Sequence, residues 1–133
     1  MAAGLPTEGT AAARPRAGDL ARKDALTCGL DDRVDDVRER ARAGGWSTVV
    51  VVNEAQVVLG LLREKELDSE PGRRVAEVMR PGPSTFRPFV SADEIAHYMV
   101  EHDLKSAPIT TSDGRLVGLL LREDAVAAAP HAA

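Results

Sequence analysis

The sequence predicts a fold of the α/β class, α+β in type, in which two tandem β-α-β-β-α repeats form one compact module. A shift of 58 residues aligns the two halves without a gap, so that Thr27 falls on Thr85 and Asp19 falls on Glu77. Each half contains a helix-forming segment followed by two apolar runs that a turn separates. The 133 residues suffice for one shared core, whereas two independent cores would each be marginal. Because internal repetition fixes architecture, these observations indicate a doubled unit.

Both halves have the same order of elements: a helical lead-in, a short extended segment, a longer helix, a hairpin and a closing helix. The lead-ins are predicted at residues 18–22 and 73–80, and the extended segments at residues 25–28 and 84–87. In the second half, Ser91 and Glu94 match a capping box that opens the longer helix, and Ile95 and Met99 share one face of it. These patterns predict a helix of about three turns in each half.

The longer helix of the first half has a narrow apolar stripe of Val34, Val37 and Ala41, and two glycines end it. The hairpin strands are predicted at residues 48–52 and 57–62 and, in the second half, at residues 107–110 and 115–121; the closing helices are predicted at residues 64–68 and 122–129. Residues 49–52 are apolar without alternation, so we expect both faces of that strand to be covered. Asp113 and Gly114 are a strong turn signal in the second hairpin.

The chain divides into a tail and two repeats. Residues 1–16 are rich in alanine, glycine, proline and threonine without any period, which predicts a disordered tail. Residues 17–70 and 73–129 are the predicted repeats, with Pro71 and Gly72 at the seam.

Composition and charge exclude several classes of protein. Hydrophobic residues make up 44% and charged residues 29%, which is typical of a soluble globular protein. The net charge of -4 argues against a general nucleic-acid binder. No apolar run approaches the roughly 18 residues that cross a bilayer, so no membrane span is expected. The first residues lack the apolar region of a secretory signal and there is a single cysteine, which together favour a cytoplasmic location.

Catalytic and metal-binding patterns are also missing from the sequence. It contains no recognisable nucleophile–base pair, Walker phosphate loop or Rossmann glycine pattern, so an enzyme is not expected. His97 and His102 are five positions apart and point to different faces of a helix, which argues against a metal site and predicts exposed side chains. Cys28 aligns with Phe86 and is predicted to be a small core residue. Trp46 is predicted to pack where a helix meets a strand.

The second half carries a series of motifs that together resemble one family. Residues 75–79 (VAEVM) resemble the lead-in V-x-D-h-M, and residues 84–88 (STFRP) resemble the strand h-T-h-x-P. Residues 106–109 (SAPI) resemble x-h-P-V, and residues 113–120 (DGRLVGLL) resemble the hairpin D-G-x-h-h-G-h-h. Asp124 stands where the closing T-x-x-D motif has its aspartate. The chain therefore resembles a CBS-domain (cystathionine-β-synthase domain) pair, a Bateman module, with the first half matching more loosely.

This resemblance implies a regulatory module. CBS repeats pack sheet to sheet with pseudo-twofold symmetry and leave two clefts that commonly bind adenosine compounds such as AMP, ADP, ATP or S-adenosylmethionine. It implies an adenine nucleotide as a bound regulator with no other cofactor, an unknown regulated protein as partner, and a homodimer formed through the repeat helices. The candidates for the dimer face, some of which must also serve the internal core, are Val34, Val37, Ala41, Ile95, Tyr98 and Met99.

The resemblance also carries a ligand-binding role onto individual positions. These are Thr27, Thr48, Val49, Arg63 and Glu66 in the first half, and Thr85, Arg87, Ser106, Ala107, Pro108, Leu121, Arg122 and Asp124 in the second. Backbone groups beside Thr85 and Ala107 would bond an adenine edge, and Pro108 and Leu119 would cover its faces. The two oxygens of Asp124 would accept from both ribose hydroxyls. The start of the closing helix would offer free amides to a phosphate.

Departures from the family pattern make the two halves unequal. Leu121 and Arg63 stand where the family has a serine or threonine; leucine cannot donate to a phosphate, whereas arginine can. Glu66 replaces the aspartate, and Leu30 replaces the proline that the second half has as Pro88. We therefore expect the second half to suit ribose better and the first half to suit phosphate better. The missing hydroxyls leave an alternative open, a ligand-free dimerisation or protein-interaction module.

The candidate residues also have ordinary structural explanations. An acidic residue such as Asp124 in the first turn of a helix is favoured by the helix dipole alone. Glu66 and Arg63 are also typical of solvated surface charges. Thr27 and Thr85 are β-branched residues that suit a strand.

Overall fold

The computed structural model of the protein describes residues 15–128, and its elements follow the predicted repeat. In chain order they are α1 (Ala17–Leu20), β1 (Thr27–Cys28), α2 (Val34–Gly44), β2 (Val49–Val52), β3 (Val58–Leu62), α3 (Glu64–Leu67), α4 (Val75–Val78), β4 (Arg80–Pro81), α5 (Ala92–Glu101), β5 (Ser106–Thr110), β6 (Leu116–Leu121) and α6 (Arg122–Ala128). Most of the tail predicted for residues 1–16 lies outside the described residues. Arg16 is described, and it forms an isolated β-bridge with Ser91.

The short elements differ most from the prediction. The first extended segment is reduced to the two residues of β1, and the second to a single parallel bridge between Phe86 and Ile109. Pro83 and Pro88 flank that second segment, and because proline has no amide hydrogen it cannot extend a ladder. The lead-in helices α1 and α4 are likewise shorter than predicted, with four residues each.

The two long helices begin and end as the sequence predicts. Ser91 is the N-cap of α5, and its hydroxyl accepts a hydrogen bond from the amide of Glu94 at 3.3 Å. Helix α2 ends at Gly45, whose φ of 74° lies in the left-handed region that glycine adopts without strain. Both helices bury one face, and these faces form the two cores described below.

The strands form two sheets related by the 58-residue shift. The first has the order β1-β2-β3-β4, in which β1 is parallel to β2 and the other neighbours are antiparallel. The second contains the antiparallel pair β5 and β6. Isolated bridges extend this pair at both edges, where Phe86 pairs with Ile109 of β5 and Arg22 pairs with Leu119 of β6. Cys28 pairs with Val51 in the first sheet just as Phe86 pairs with Ile109 in the second.

Each lead-in packs on the opposite repeat. Arg22, which follows α1, pairs with Leu119 of the second repeat, and Arg80, which follows α4, pairs with Leu61 of the first. The core of the second repeat contains Ala17 and Ala21 of the first lead-in beside its own residues. In the same way, the core of the first repeat contains Val75 of the second lead-in. The sequence groups each lead-in with the repeat that follows it, whereas the structure exchanges the two lead-ins.

The axis that relates the repeats passes close to the hairpin turns. Val57 pairs with Arg115, its own equivalent under the shift, in an antiparallel bridge. Two further backbone hydrogen bonds are related to each other by the same 58-residue shift. The Val58 amide donates to the Gly114 carbonyl and the Leu116 amide donates to the Gln56 carbonyl, both at 2.9 Å. A third apolar cluster joins the two sheets; its buried members are Val50, Val52, Leu61 and Leu119. The predicted packing of tandem repeats with pseudo-twofold symmetry is confirmed.

The residues predicted for a dimer face lie mostly inside the chain. Val34, Val37, Ala41, Ile95 and Met99 are at most 2% exposed, and Tyr98 is half-buried. Their helices turn that stripe toward their own sheets, because burying it there removes apolar surface from water. The five buried residues cannot form a surface for a partner, and assigning them to a dimer face was wrong. Among residues 15–128, the large apolar side chains that are exposed are Leu30, Phe89, Val100 and Val126.

Several other side chains lie where the sequence predicts. Cys28 is 5% exposed in the first core, and Trp46 packs against both this core and the cluster between the sheets. His97 is exposed and lies 3.5 Å from the carboxylate of Glu101, and His102 is exposed and stacks on Tyr98.

The buried thiol of Cys28 gives a pH-dependent prediction. Burial disfavours the thiolate and raises the pKa of Cys28 to about 12. In the unfolded chain the thiol ionises near its ordinary value of about 8.5. Its contribution to stability is therefore complete below that value and is lost as the pH rises toward the folded-state pKa. Between about pH 8 and about pH 10 the free energy of unfolding should fall by roughly 1–2 kcal/mol more than in Cys28→Ala, as urea denaturation of both proteins would measure.

Equal pH dependence in the two proteins would contradict this account of Cys28. A second measurement addresses the same burial directly. In the native protein, the thiol should react with a disulfide reagent near neutral pH far more slowly than it does in urea, because the thiolate is the reacting form.

Candidate functional site

Asp124 is held by a residue that the sequence did not point to. In the first turn of α6, its carboxylate accepts hydrogen bonds from Arg22, at 2.9 Å from Nε and 3.2 Å from Nη2. The backbone of Arg22 is fixed beside β6 by two bonds with Leu119, at 2.8 and 3.1 Å. The hydrogen bond to Asp124 raises the pKa of the Arg22 guanidinium, which therefore stays charged. The carboxylate predicted to receive a ribose is thus paired with a cation from the exchanged lead-in.

Thr85 and Arg87 form a second group in the same repeat. Arg87 Nη2 donates to the Thr85 hydroxyl at 3.0 Å, and its Nη1 donates to the carbonyls of Thr110, at 3.1 Å, and Thr111. The backbone between them is also engaged, because the Phe86 amide donates to the Pro108 carbonyl at 3.2 Å. Arg87 therefore orients Thr85 and ties this segment to the end of β5.

The remaining candidates of the second repeat lie on β5, at the end of β6 and at the start of α6. Ser106 and Leu121 are partners in the hairpin ladder, and both are half-buried. Ala107 is 1% exposed in the core and Pro108 is buried, so Ala107 could reach a ligand only through its backbone. The Arg122 amide donates to the carbonyl of Lys105 at 2.8 Å, and its guanidinium is directed at Asp103, 3.3 Å away.

The first repeat pairs its candidates with each other. Glu66 accepts from the amide and Nε of Arg63 at 2.8 and 3.0 Å through Oε1, and from Nη2 at 2.9 Å through Oε2. These hydrogen bonds from Arg63 lower the pKa of the Glu66 carboxyl, which is only 9% exposed. Arg80, the equivalent of Arg22, is exposed. Glu66 thus pairs within its own turn, whereas its equivalent Asp124 pairs across the lead-in exchange.

The other candidates of the first repeat lie beside or beneath β2. Thr27 is half-buried and pairs with Val50, whereas Thr48 and Val49 are buried. Of these, Thr27 lines a groove of about 480 Å³ at the ends of β1 and β2, whose wall also includes Asp31, Asp32 and Glu54. A groove of about 540 Å³ between α2 and α3 contains none of the predicted ligand residues.

Metal-ligand clusters and membrane-spanning helices are both absent from the described part of the chain. Residues 15–128 contain no group of three or more histidine, cysteine, aspartate or glutamate side chains placed to hold a metal ion. Over the same described range, no helix is long and apolar enough to cross a bilayer.

Two related β-α-β-β-α repeats with exchanged lead-ins and an acidic residue in the closing helix of each define a paired-repeat α+β module. The model of one family, the CBS domain, matches the chain twice, at residues 17–70 and 75–131. The chain therefore belongs to the CBS domain family, and the resemblance found in the sequence is confirmed.

Relatives and solved structures agree with this assignment. An uncharacterized protein of Methanopyrus kandleri is 24% identical over 122 residues, which cover 86% of this chain and 62% of that protein. The chain is similar in structure to the cytosolic domain of the Mg²⁺ channel MgtE, crystallised with ATP, with a TM-score of 0.77, 27% identity and coverage of 85% of this chain and 48% of that one. It is also similar to CBSX2, crystallised with AMP, with a TM-score of 0.78, 20% identity and coverage of 87% and 96%. CBSX2 is a CBS-pair protein of Arabidopsis thaliana. The chain thus spans less than two thirds of the Methanopyrus relative.

Proposed function

We propose that the protein is a regulatory module that binds an adenosine-containing nucleotide between its repeats. The observation that carries the proposal is the Asp124 carboxylate, which lies where the second repeat meets the exchanged lead-in and engages Arg22. A carboxylate has two acceptor oxygens and can bind both hydroxyls of a ribose. Membership of the CBS family and the ATP found with a 27% identical domain support the same class of ligand.

The proposed module acts through its shape and carries out no reaction. A ligand changes the balance between two arrangements of a protein only if it binds one of them better. A nucleotide at Asp124 would contact the second repeat directly and the first lead-in through Arg22, so it would favour one placement of that lead-in. A regulated protein that senses this placement would then respond to the nucleotide.

A thermal-shift panel with AMP, ATP, S-adenosylmethionine and NAD tests the proposal. A ligand present at about 100 times its dissociation constant should stabilise the protein by about 2.7 kcal/mol. Asp124→Ala should remove that shift. Asp36→Ala is the matched control, because Asp36 is an exposed acidic residue in the first turn of another helix. If no compound stabilises the protein, the proposed sensor is refuted, and a shift that survives Asp124→Ala would place the site elsewhere.

A ligand-free dimerisation or interaction module is the second candidate. The observation in its favour is that the candidates Arg63 and Glu66 pair with each other and the candidate Asp124 pairs with Arg22, while Leu121 offers no donor. A homodimer and a cytoplasmic location also stay predictions. Light scattering across a range of protein concentrations would measure the dimer, and an absent thermal shift together with a stable dimer would favour this candidate.

A further inference from the structure

We propose that Arg22 selects the ligand of the second repeat, favouring adenosine compounds that carry phosphate over neutral adenosine and over cationic S-adenosylmethionine. This inference rests on the proposed function and narrows it. Three observations carry it: the pairing of Arg22 with Asp124, the origin of Arg22 in the other half of the chain, and the surrounding charge.

The Arg22–Asp124 pair lies at the proposed ribose position and is accessible. The side chains of Arg22 and Asp124 keep 45% and 28% of their surface exposed. The Arg22 backbone is held on both sides by Leu119, so the guanidinium can swing while its anchor stays in place. A ribose bound to the same two oxygens competes with Arg22 for the Asp124 carboxylate, so that Arg22 gains from a new anion close by.

A phosphate on the same ribose supplies that anion. It presents several acceptor oxygens to a guanidinium, which binds phosphate through two parallel hydrogen bonds. Adenosine supplies no such group, and its binding would weaken the pairing of Arg22 with Asp124 without replacing it. S-adenosylmethionine would bring a sulfonium cation toward Arg22, and like charges repel.

Two other guanidinium groups of the second repeat have partners of their own. Arg87 donates to Thr85 and to two carbonyls at the end of β5, and Arg122 is directed at Asp103. Of Arg22, Arg87 and Arg122, Arg22 is the one whose partner is the carboxylate proposed to bind the ribose. Leu121, which stands in place of a family hydroxyl, removes a local phosphate donor, and Arg22 replaces it from the exchanged lead-in.

The first repeat provides a control within the same chain. Arg80 occupies the position equivalent to Arg22, but Glu66, the equivalent of Asp124, is paired with Arg63 three residues away. Arg80 is exposed and its backbone pairs with Leu61 of the first repeat, so Arg80→Gln is expected to leave the second repeat unchanged. Arg22→Gln and Arg80→Gln therefore remove the same charge from equivalent positions of the two repeats.

Calorimetric titration of the full chain with adenosine, AMP and S-adenosylmethionine tests the inference. The native protein should bind AMP at least about tenfold more tightly than adenosine, as a charge-assisted hydrogen-bonded contact implies. In Arg22→Gln the affinities for AMP and adenosine should lie within about threefold of each other, mainly because the affinity for AMP falls. Adenosine should bind as tightly as before or more tightly, because Asp124 no longer pairs with Arg22. Arg22→Lys should be intermediate, since it keeps the charge and loses the paired geometry. Urea denaturation of each variant shows that it is folded.

The outcomes separate this inference from the proposed function. If AMP binds but Arg22→Gln keeps the native preference over adenosine, the inference fails and the proposed function stands. The same holds if Arg80→Gln is the variant that loses the preference, or if S-adenosylmethionine binds more tightly than AMP. If none of the three compounds binds the native protein, this inference is refuted, and binding of ATP or NAD in the thermal-shift panel decides whether the proposed function is refuted as well.

Discussion

Replacing Ile95 with alanine is expected to lower the free energy of unfolding by about 3–4 kcal/mol. Ile95 is completely buried in the core of the second repeat, where it packs with Ala17 of the exchanged lead-in and Leu120 of β6. The substitution removes its buried methyl and methylene groups and leaves a cavity that the surrounding helices and sheet can only partly close. Urea denaturation of the native protein and the variant measures the difference.

Val100→Ala is the matched control for this prediction. Val100 lies on the same helix, but 59% of its surface is exposed, so its loss should change stability by less than about 0.5 kcal/mol. Equal losses in the two variants would contradict the burial assigned to Ile95. So would an Ile95→Ala protein that keeps its stability but no longer associates with itself, since that result would return Ile95 to the dimer face suggested by the sequence.

Replacing Gly118 with alanine is expected to cost about 2 kcal/mol and to loosen the first lead-in. A β-carbon at Gly118 would lie 2.9 Å from the β-carbon of Ala21 and 2.9 Å from the carbonyl oxygen of Arg22. The chain that would have to move belongs to the exchanged lead-in and is held there by backbone hydrogen bonds. Chemical denaturation gives the stability, and amide hydrogen exchange at Arg22 reports the loosening directly.

The equivalent glycine of the first repeat should behave in the same way. A β-carbon at Gly60 would lie 2.7 Å from the carbonyl oxygen of Arg80. Gly29→Ala is the control, because a β-carbon there has no neighbour within 4 Å, and it should be nearly neutral. If Gly118→Ala and Gly29→Ala were equally stable, the close approach of lead-in and hairpin would be refuted.

The repeated architecture was predictable because the period of 58 residues recurs in every long element. Apolar runs, turn residues and capping residues are local signals, and they located both hairpins and both long helices within a few residues. The exchange of the lead-ins was not predictable in this way. Arg22 and Arg80 stand at the same distance from the hairpin of their own half, and a segment of a few residues carries no pattern that says which sheet it joins.

The candidate site was predictable to a similar degree. The position of Asp124 followed from the family motif, but its partner Arg22 is 102 residues away, and only the folded chain brings the two together. The pair of Arg63 and Glu66 was within reach of sequence reasoning, because residues three apart on a helix are neighbours. Treating each of them as a separate ligand residue overlooked that attraction.

The surface that the apolar face of each long helix covers could not be predicted from the sequence. Ile95 and Met99 form an apolar stripe, and a stripe alone does not say whether it covers the chain's own sheet or a partner. The structure shows both residues fully buried, so the first is correct. The number of apolar positions on one helix face limits how many surfaces that face can cover, and here the core that the sheet, the closing helix and the exchanged lead-in share uses Ile95 and Met99.

The exchanged lead-ins have a consequence for synthesis on the ribosome. Ala17 is made before its neighbours Ile95 and Leu120, which belong to the second repeat. At roughly 5–20 residues per second, the first lead-in waits for on the order of 5–20 s before its binding place exists. During that interval its apolar residues stay in water and the first repeat also lacks Val75. The first repeat therefore cannot complete its core until Val75 has been made, and the first lead-in cannot pack until the second repeat has been made, so the apolar surfaces of the first half stay unpaired for most of this interval.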